Sequence, residues 1–132
     1  MALVATRKKT LGNVLKYETA SEHGYCREVV TVNTVGATEL SVGSVVGKIT
    51  ASGKYVPRDP AAVDGSEVSA GMVTENKSVA AATDTEVAVI VRGPSILAEG
   101  GLVFDVAHDA GQTATAIAEL NALNGVIVRT SV

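Results

Sequence analysis

Valine narrows what this chain can become more than any other residue. Twenty-two of the 132 residues are Val, a β-branched side chain that loses rotamer freedom in a helix and packs well on a pleated, half-buried surface. In the segment 28–35, Val30 and Val32 alternate with Thr31 and Asn33, the period-two pattern of a strand buried on one face. A second strand is expected from Val45 to Ala51, closed by Ser52 and Gly53, with Lys54, Tyr55 and Val56 returning as its hairpin partner. Ala70 to Glu75 predicts a short strand, and residues 76–85 a small polar loop. Glu86 to Arg92 is apolar on both faces, so a central, covered strand is expected there, ended by Gly93 and Pro94. Ile96-Leu97 and Leu102-Val103-Phe104 are shorter strand candidates, and Val126 to Thr130 closes the chain as a strand.

One helix is expected. Asp109 is placed as its N-cap with Gln112 three residues on, a loose capping box. Ala114, Ile117, Leu120 and Leu123 form its apolar stripe, and Gly125 is expected at the C′ position. The fold class that follows is mainly β, a small single domain with one short C-terminal helix.

The length suits one domain. At 46% hydrophobic and 19% charged residues, a disordered polar chain is excluded. No stretch approaches the roughly 18–20 apolar residues of a membrane span, and the start MALVATRKKTLGNVLKYE lacks the apolar core of a signal peptide. The chain is therefore expected to be made, and to remain soluble, in a cytoplasm. Charge is unevenly placed. Residues 1–16 hold Arg7, Lys8, Lys9 and Lys16 with no acid, whereas residues 17–132 hold seven bases and fourteen acids. A solubilising tail has no use for Leu3, Val4, Leu11, Val14 and Leu15, so an arm that orders on a partner surface is expected.

The catalytic inventory is thin. His23 and Cys26 lie three apart beside Tyr25, with Glu22 and Glu28 near, but a thiolate–imidazole pair needs a backbone that aims it and a third orienting group. A junction between arm and body is the better account, with Cys26 as an oxidation or labelling handle. A single Cys excludes an internal disulfide and any multi-cysteine metal site. His108 with Asp109 lacks further ligands and is expected to border the helix start. Gly43 to Lys48 resembles a phosphate loop, but it has three residues between the glycines rather than four, and Ile49 stands where Ser or Thr would hold magnesium. Asp59, Asp64 and Glu67 do not have calcium-loop spacing and are explained by turns. Nucleic acid would need aromatic platforms beside basic residues, and aromatics are only 3% of the chain.

An ordered set of segments is more specific. Leu15-Lys-Tyr-Glu18 is followed by Tyr25-Cys-Arg-Glu-Val-Val-Thr-Val32, Val45-Val-Gly-Lys-Ile-Thr-Ala-Ser-Gly-Lys-Tyr-Val-Pro57 and Asp59-Pro-Ala-Ala-Val-Asp-Gly-Ser66. Ala70-Gly-Met-Val73, Val89-Ile-Val-Arg-Gly-Pro94 and Leu123-Asn-Gly-Val-Ile-Val-Arg129 complete it. Over about residues 12–132 the chain resembles the head decoration protein family of tailed bacteriophages, the group that includes the phage lambda decoration protein; the first eleven residues carry no recognisable match.

The resemblance implies a non-enzymatic capsid protein of β-clip type. It implies a homotrimer bound to the major capsid protein on the outer surface of the expanded head, at three-fold and quasi-three-fold positions, and made in the host cytoplasm. No cofactor, metal, nucleic acid or membrane is implied. It further implies a flexible basic arm over 1–24 and a β-rich decoration domain over 25–132. The arm contacts expected with the capsid are Lys8, Lys9, Leu11, Gly12, Asn13, Val14, Leu15, Lys16 and Tyr17. Two other readings stay open at this point. A virion-displayed adhesin would need exposed aromatic clusters, and a small hydrolase would use Cys26 and His23.

Overall fold

A computed structural model describes residues 10–19 and 24–130. Lys8, Lys9 and His23 lie outside the described residues. The described chain is mainly β, with ten strands in three sheets and one helix near the C-terminus. In chain order the strands are β1 (Leu15–Glu18), β2 (Arg27–Val32), β3 (Thr38–Leu40), β4 (Val45–Lys48), β5 (Tyr55–Pro57), β6 (Ser69–Val73), β7 (Lys77–Val79), β8 (Thr85–Ile90), β9 (Ser95–Ala98) and β10 (Val126–Arg129). The helix α1 (Ala110–Asn121) lies between β9 and β10.

Five strands close a small barrel in the order β2-β5-β4-β6-β8. Its interior is filled by the inward members of the alternating segments. Val30 and Val32 of β2 meet Val46, Val73, Val87 and Val89, all buried. β8 pairs with β2 on one side and β6 on the other, the central place expected of it. β4 and β5 form the expected hairpin around Gly53, whose φ of 72° only glycine adopts without strain. A second apolar cluster joins the barrel to a three-stranded sheet, β1-β9-β10, through Val14, Leu15, Met72, Ile90, Leu97 and Val126.

Four expectations change. The polar stretch 76–85 contains β7, which pairs antiparallel with β3 and buries Val79. Its pairing is tertiary, and Glu39 accepting from the Ser78 hydroxyl at 2.7 Å adds a cross-strand link no local pattern announces. Leu102-Val103-Phe104 is not a strand. Val103 makes one parallel bridge, donating to Gly43 O and accepting from the Val45 amide, both at 2.9 Å.

The helix is capped as expected, with Asp109 Oδ1 accepting from the Gln112 amide at 2.7 Å and Gln112 Oε1 accepting from the Asp109 amide at 2.9 Å. Its buried face, however, is centred on Ala116 and Leu120, while Ala114 is exposed. Ser69 of β6 sets that rotation by donating its hydroxyl to the Ala116 carbonyl at 3.0 Å. Gly125 also lies beyond the expected C′ position, because Ala122 is already the C-cap. It instead makes the turn into β10 at a φ of 80°, packed against the Gly93 backbone, where a Cβ at position 93 would run into the Gly125 carbonyl.

Candidate functional site

The segment Leu11-Gly-Asn-Val-Leu-Lys-Tyr-Glu18 begins with a 3-10 turn over Leu11–Asn13. Asn13 stabilises it by accepting the Thr10 amide on Oδ1 at 2.8 Å. The turn aims Val14 inward, where it is completely buried, and its carbonyl accepts from the Ala98 amide at 2.6 Å. The socket is floored by two glycines. A Cβ on Gly101 would lie 2.6 Å from Val14 Cγ2, and one on Gly43 would lie 3.3 Å from the same methyl. Hydrogen at position 101 is what leaves Val14 this space, and hydrogen at position 43 keeps the Gly101 carbonyl in place, which a Cβ there would meet.

β1 then runs antiparallel to β9, with Leu15 opposite Leu97 and Tyr17 opposite Ile96. Strict alternation would bury Tyr17 beside Leu15. An irregularity between them turns Tyr17 outward, to 52% exposure, and leaves Lys16 exposed as well. Lys16 Nζ donates to the Gly12 carbonyl at 2.7 Å. The strand end is tied down by charge. Glu18, with only 6% of its side chain exposed, takes both arms of the Arg27 guanidinium, Nε to Oε2 at 3.0 Å and Nη2 to Oε1.

Of the residues expected to contact a capsid, Gly12, Asn13, Lys16 and Tyr17 lie at the surface and Leu11 is half-buried. Val14 and Leu15 are enclosed in the chain's own core. Residues 10–19 of the expected arm are thus built onto the body through β1 and β9.

The other candidates serve the fold. Cys26 is completely buried, its thiol facing two carbonyl acceptors, Pro94 O at 3.5 Å and Thr19 O at 3.8 Å, so neither a nucleophile nor an accessible oxidation handle stands there. Gly47 of the phosphate-loop-like stretch sits in β4 against the Ser66 backbone, with no room for a Cβ. His108 bridges rather than ligates. Its Nδ1 lies 2.6 Å from Val106 O and its Nε2 2.8 Å from Arg58 Nη1. Since the guanidinium only donates, Nε2 accepts and the ring proton is on Nδ1. Arg58 is buried, and its Nε donates to Glu119 Oε1 at 3.0 Å. The partners are 61 residues apart in sequence, with no motif linking them.

Asp59, Asp64 and Glu67 each accept from a nearby backbone amide, and among the described residues no three acidic, His or Cys groups converge on a metal position. The Ser66 hydroxyl and amide hold the Asp64 carboxyl below its usual range. Asn33 Nδ2 at 2.6 Å and Lys54 Nζ at 3.0 Å do the same for Asp84. Both values are lower in the folded chain, so the stability they contribute is complete only above about pH 5, clear of the unfolded value. It is lost as pH falls through their own lower values. A carboxyl-carbon NMR titration is expected to place both midpoints below that of Asp in a peptide; ordinary midpoints would show that these hydrogen bonds do not form in solution.

No curated protein matches the chain. The family described as Bacteriophage lambda head decoration protein D matches over residues 4–126. The chain belongs to this family. Membership carries a capsid decoration role and a place on the virion, in association with the phage capsid. The decoration family is structural and is not known for an enzymatic activity. The match begins at Val4 and so takes in most of the basic N-terminal segment together with the barrel and the three-stranded sheet.

Proposed function

We propose that this chain cements the expanded phage head as a homotrimer, seated outside the shell on the major capsid protein at three-fold and quasi-three-fold positions, against the pressure of packaged DNA. The observation that carries the reading is the family match over 4–126, which joins the basic segment to the folded body as one unit. A trimer on a three-fold position meets three capsid subunits at once, so each weak contact forms at high effective concentration. A ligand that binds only the expanded shell stabilises that state by mass action.

The division of labour within the arm follows from burial. Val14 and Leu15 anchor it to the body; contacts with the shell fall to Leu11, Gly12, Asn13, Lys16 and Tyr17, with Lys8 and Lys9 upstream. An extended segment at that point can add a strand to an exposed sheet edge on the capsid protein. Arg7, Lys8 and Lys9 steer the encounter, because charge at the rim of an interface acts on association rate more than on affinity.

The test is sedimentation with expanded, undecorated heads assembled from the same phage's major capsid protein, comparing the full chain with one lacking residues 1–9. That truncation spares Val14 and Leu15, whereas removing 1–16 would open the core and confuse unfolding with lost binding. The full chain is expected to saturate at one trimer per three-fold position. The shortened chain is expected to bind at least about tenfold more weakly at physiological salt, with a flatter salt dependence. Equal binding by both would show that residues 1–9, with Lys8 and Lys9, contribute nothing and leave the contact to residue 10 onward. Failure of the full chain to bind would overturn the decoration reading.

A further inference from the structure

Four of the five asparagines use the side-chain amide to hold the fold. Asn13 Oδ1 accepts from the Thr10 amide at 2.8 Å, Asn76 Oδ1 from the Val42 amide at 3.1 Å and Asn121 Oδ1 from the Val128 amide at 2.8 Å. Asn33 Nδ2 donates to Asp84 Oδ1 at 2.6 Å. Each of these is followed by a residue with a side chain: Val14, Lys77, Ala122 and Thr34 in turn. Asn124 differs on both counts. It is exposed, its carboxamide makes no hydrogen bond among the described residues, and the next residue is Gly125.

The pair forms the middle of a β-turn between α1 and β10, closed by the Val126 amide donating to Leu123 O at 3.2 Å, with Gly125 at a φ of 80°. The Gly125 amide nitrogen has no hydrogen-bond acceptor among the described residues. It also has no Cβ beside it to block an approach. One restraint holds the peptide between the two residues: Asn124 O accepts from the Gly93 amide at 2.6 Å, and that bond opens when the peptide turns to bring the nitrogen to Asn124 Cγ. The comparable pair Asp64-Gly65 has neither freedom. The Gly65 amide donates to Glu67 Oε2 at 2.8 Å, and Asp64 Oδ1 accepts from the Ser66 amide at 3.0 Å and the Ser66 hydroxyl at 2.5 Å.

We propose that Asn124-Gly125 is a site of spontaneous deamidation, and that the isoaspartate formed there loosens the joint shared by α1, β9 and β10. The Gly125 nitrogen gives up its proton and bonds to Asn124 Cγ; the Cγ–Nδ2 bond breaks and the amino group takes up a proton and leaves as ammonia. Water then opens the five-membered succinimide at either carbonyl. Attack at Cγ leaves aspartate on an unaltered backbone, and attack at the main-chain carbonyl carbon leaves isoaspartate, whose chain runs through Cβ and Cγ. The sum is amide plus water to carboxylate plus ammonium, with no change of oxidation state. Isoaspartate lengthens the backbone by one methylene and turns the carbonyl that Gly93 uses into a pendant carboxylate. The turn has no slack for this, because Gly125 O accepts from the Ser95 amide at 3.2 Å and a Cβ on Gly93 would already overlap Gly125 O. The pairing of Val126 with Ser95, where β10 joins β9, is therefore disturbed first.

The test keeps the folded full chain in mildly alkaline buffer and follows it by isoelectric focusing and peptide mapping, with isoaspartate read by an isoaspartyl methyltransferase and labelled S-adenosylmethionine. A more acidic species is expected to accumulate, with residue 124 converting at least about tenfold faster than any other asparagine. Asn124→Ser is expected to take up no label at that position. Aged chain enriched in isoaspartate is expected to melt at a lower temperature than fresh chain and to exchange its β10 amides faster. Asn124→Asp carries the same added charge on a normal backbone and is expected to melt with the fresh chain. Conversion at residue 124 no faster than at the other asparagines would overturn the site. Isoaspartyl chain that melts with the fresh chain, or Asn124→Asp that melts as low as the isoaspartyl chain, would overturn the loosening.

Discussion

Glu119→Ala is expected to destabilise the fold by about 3–5 kcal/mol, the range for removing one partner of a buried ion pair. Glu119 Oε1 accepts from two donors, Arg58 Nε and the Ser69 amide, both at 3.0 Å. Arg58 is only 3% exposed. Without the carboxylate, its guanidinium would stay buried with His108 Nε2 as its one remaining side-chain partner. The network also fixes where the helix lies, because it couples α1 to β6 and to the loop after β5. Glu119→Gln keeps an acceptor without the charge and is expected to fall between wild type and Glu119→Ala. The double variant Arg58→Met with Glu119→Leu removes both charges and is expected to recover most of the loss, since a well-packed apolar pair often matches a buried ion pair. Denaturant unfolding reads all three. A loss below about 1 kcal/mol for Glu119→Ala would mean that water reaches Arg58 and that the pair is a surface one.

Gly101→Val is expected to expel the N-terminal strand at a cost of about 3 kcal/mol, combining strain from overpacking with the burial that Val14 loses. A Cβ there would lie 2.6 Å from Val14 Cγ2, 2.9 Å from Asn13 O and 3.1 Å from Val14 Cα. Two of those three atoms are backbone, so a rotamer change cannot relieve the clash. Amide exchange should accelerate first in β1, whose hydrogen bonds run to β9, while the barrel keeps its protection. Gly101→Ala is expected to show the same pattern at smaller size. Adding Val14→Ala to it should restore only part of the stability, since it removes the methyl contact and leaves both backbone contacts. Unchanged exchange in β1 would show that the glycine socket does not hold the arm.

Much of the fold is legible in the residues because local and tertiary preferences agree there. Val30 and Val32 face the barrel as alternation requires, and Asp109 with Gln112 begins the helix by a bond that spans three residues. The misses share one cause, a dependence on distant partners. β7 exists because β3 lies beside it, and the helix face is set by Ser69 across the fold. The arm shows the same limit. Val14 and Leu15 look like residues for a partner's pocket until Gly43 and Gly101 supply a pocket within the chain. Tyr17 turns outward through an irregularity that period-two counting does not contain.

The measurement that bears most directly on decoration is cryo-electron microscopy of expanded, undecorated heads mixed with an excess of the chain. The account predicts three-lobed density on the outer surface at every three-fold and quasi-three-fold position. Bare heads at saturating protein, or density confined to other symmetry positions, would contradict it.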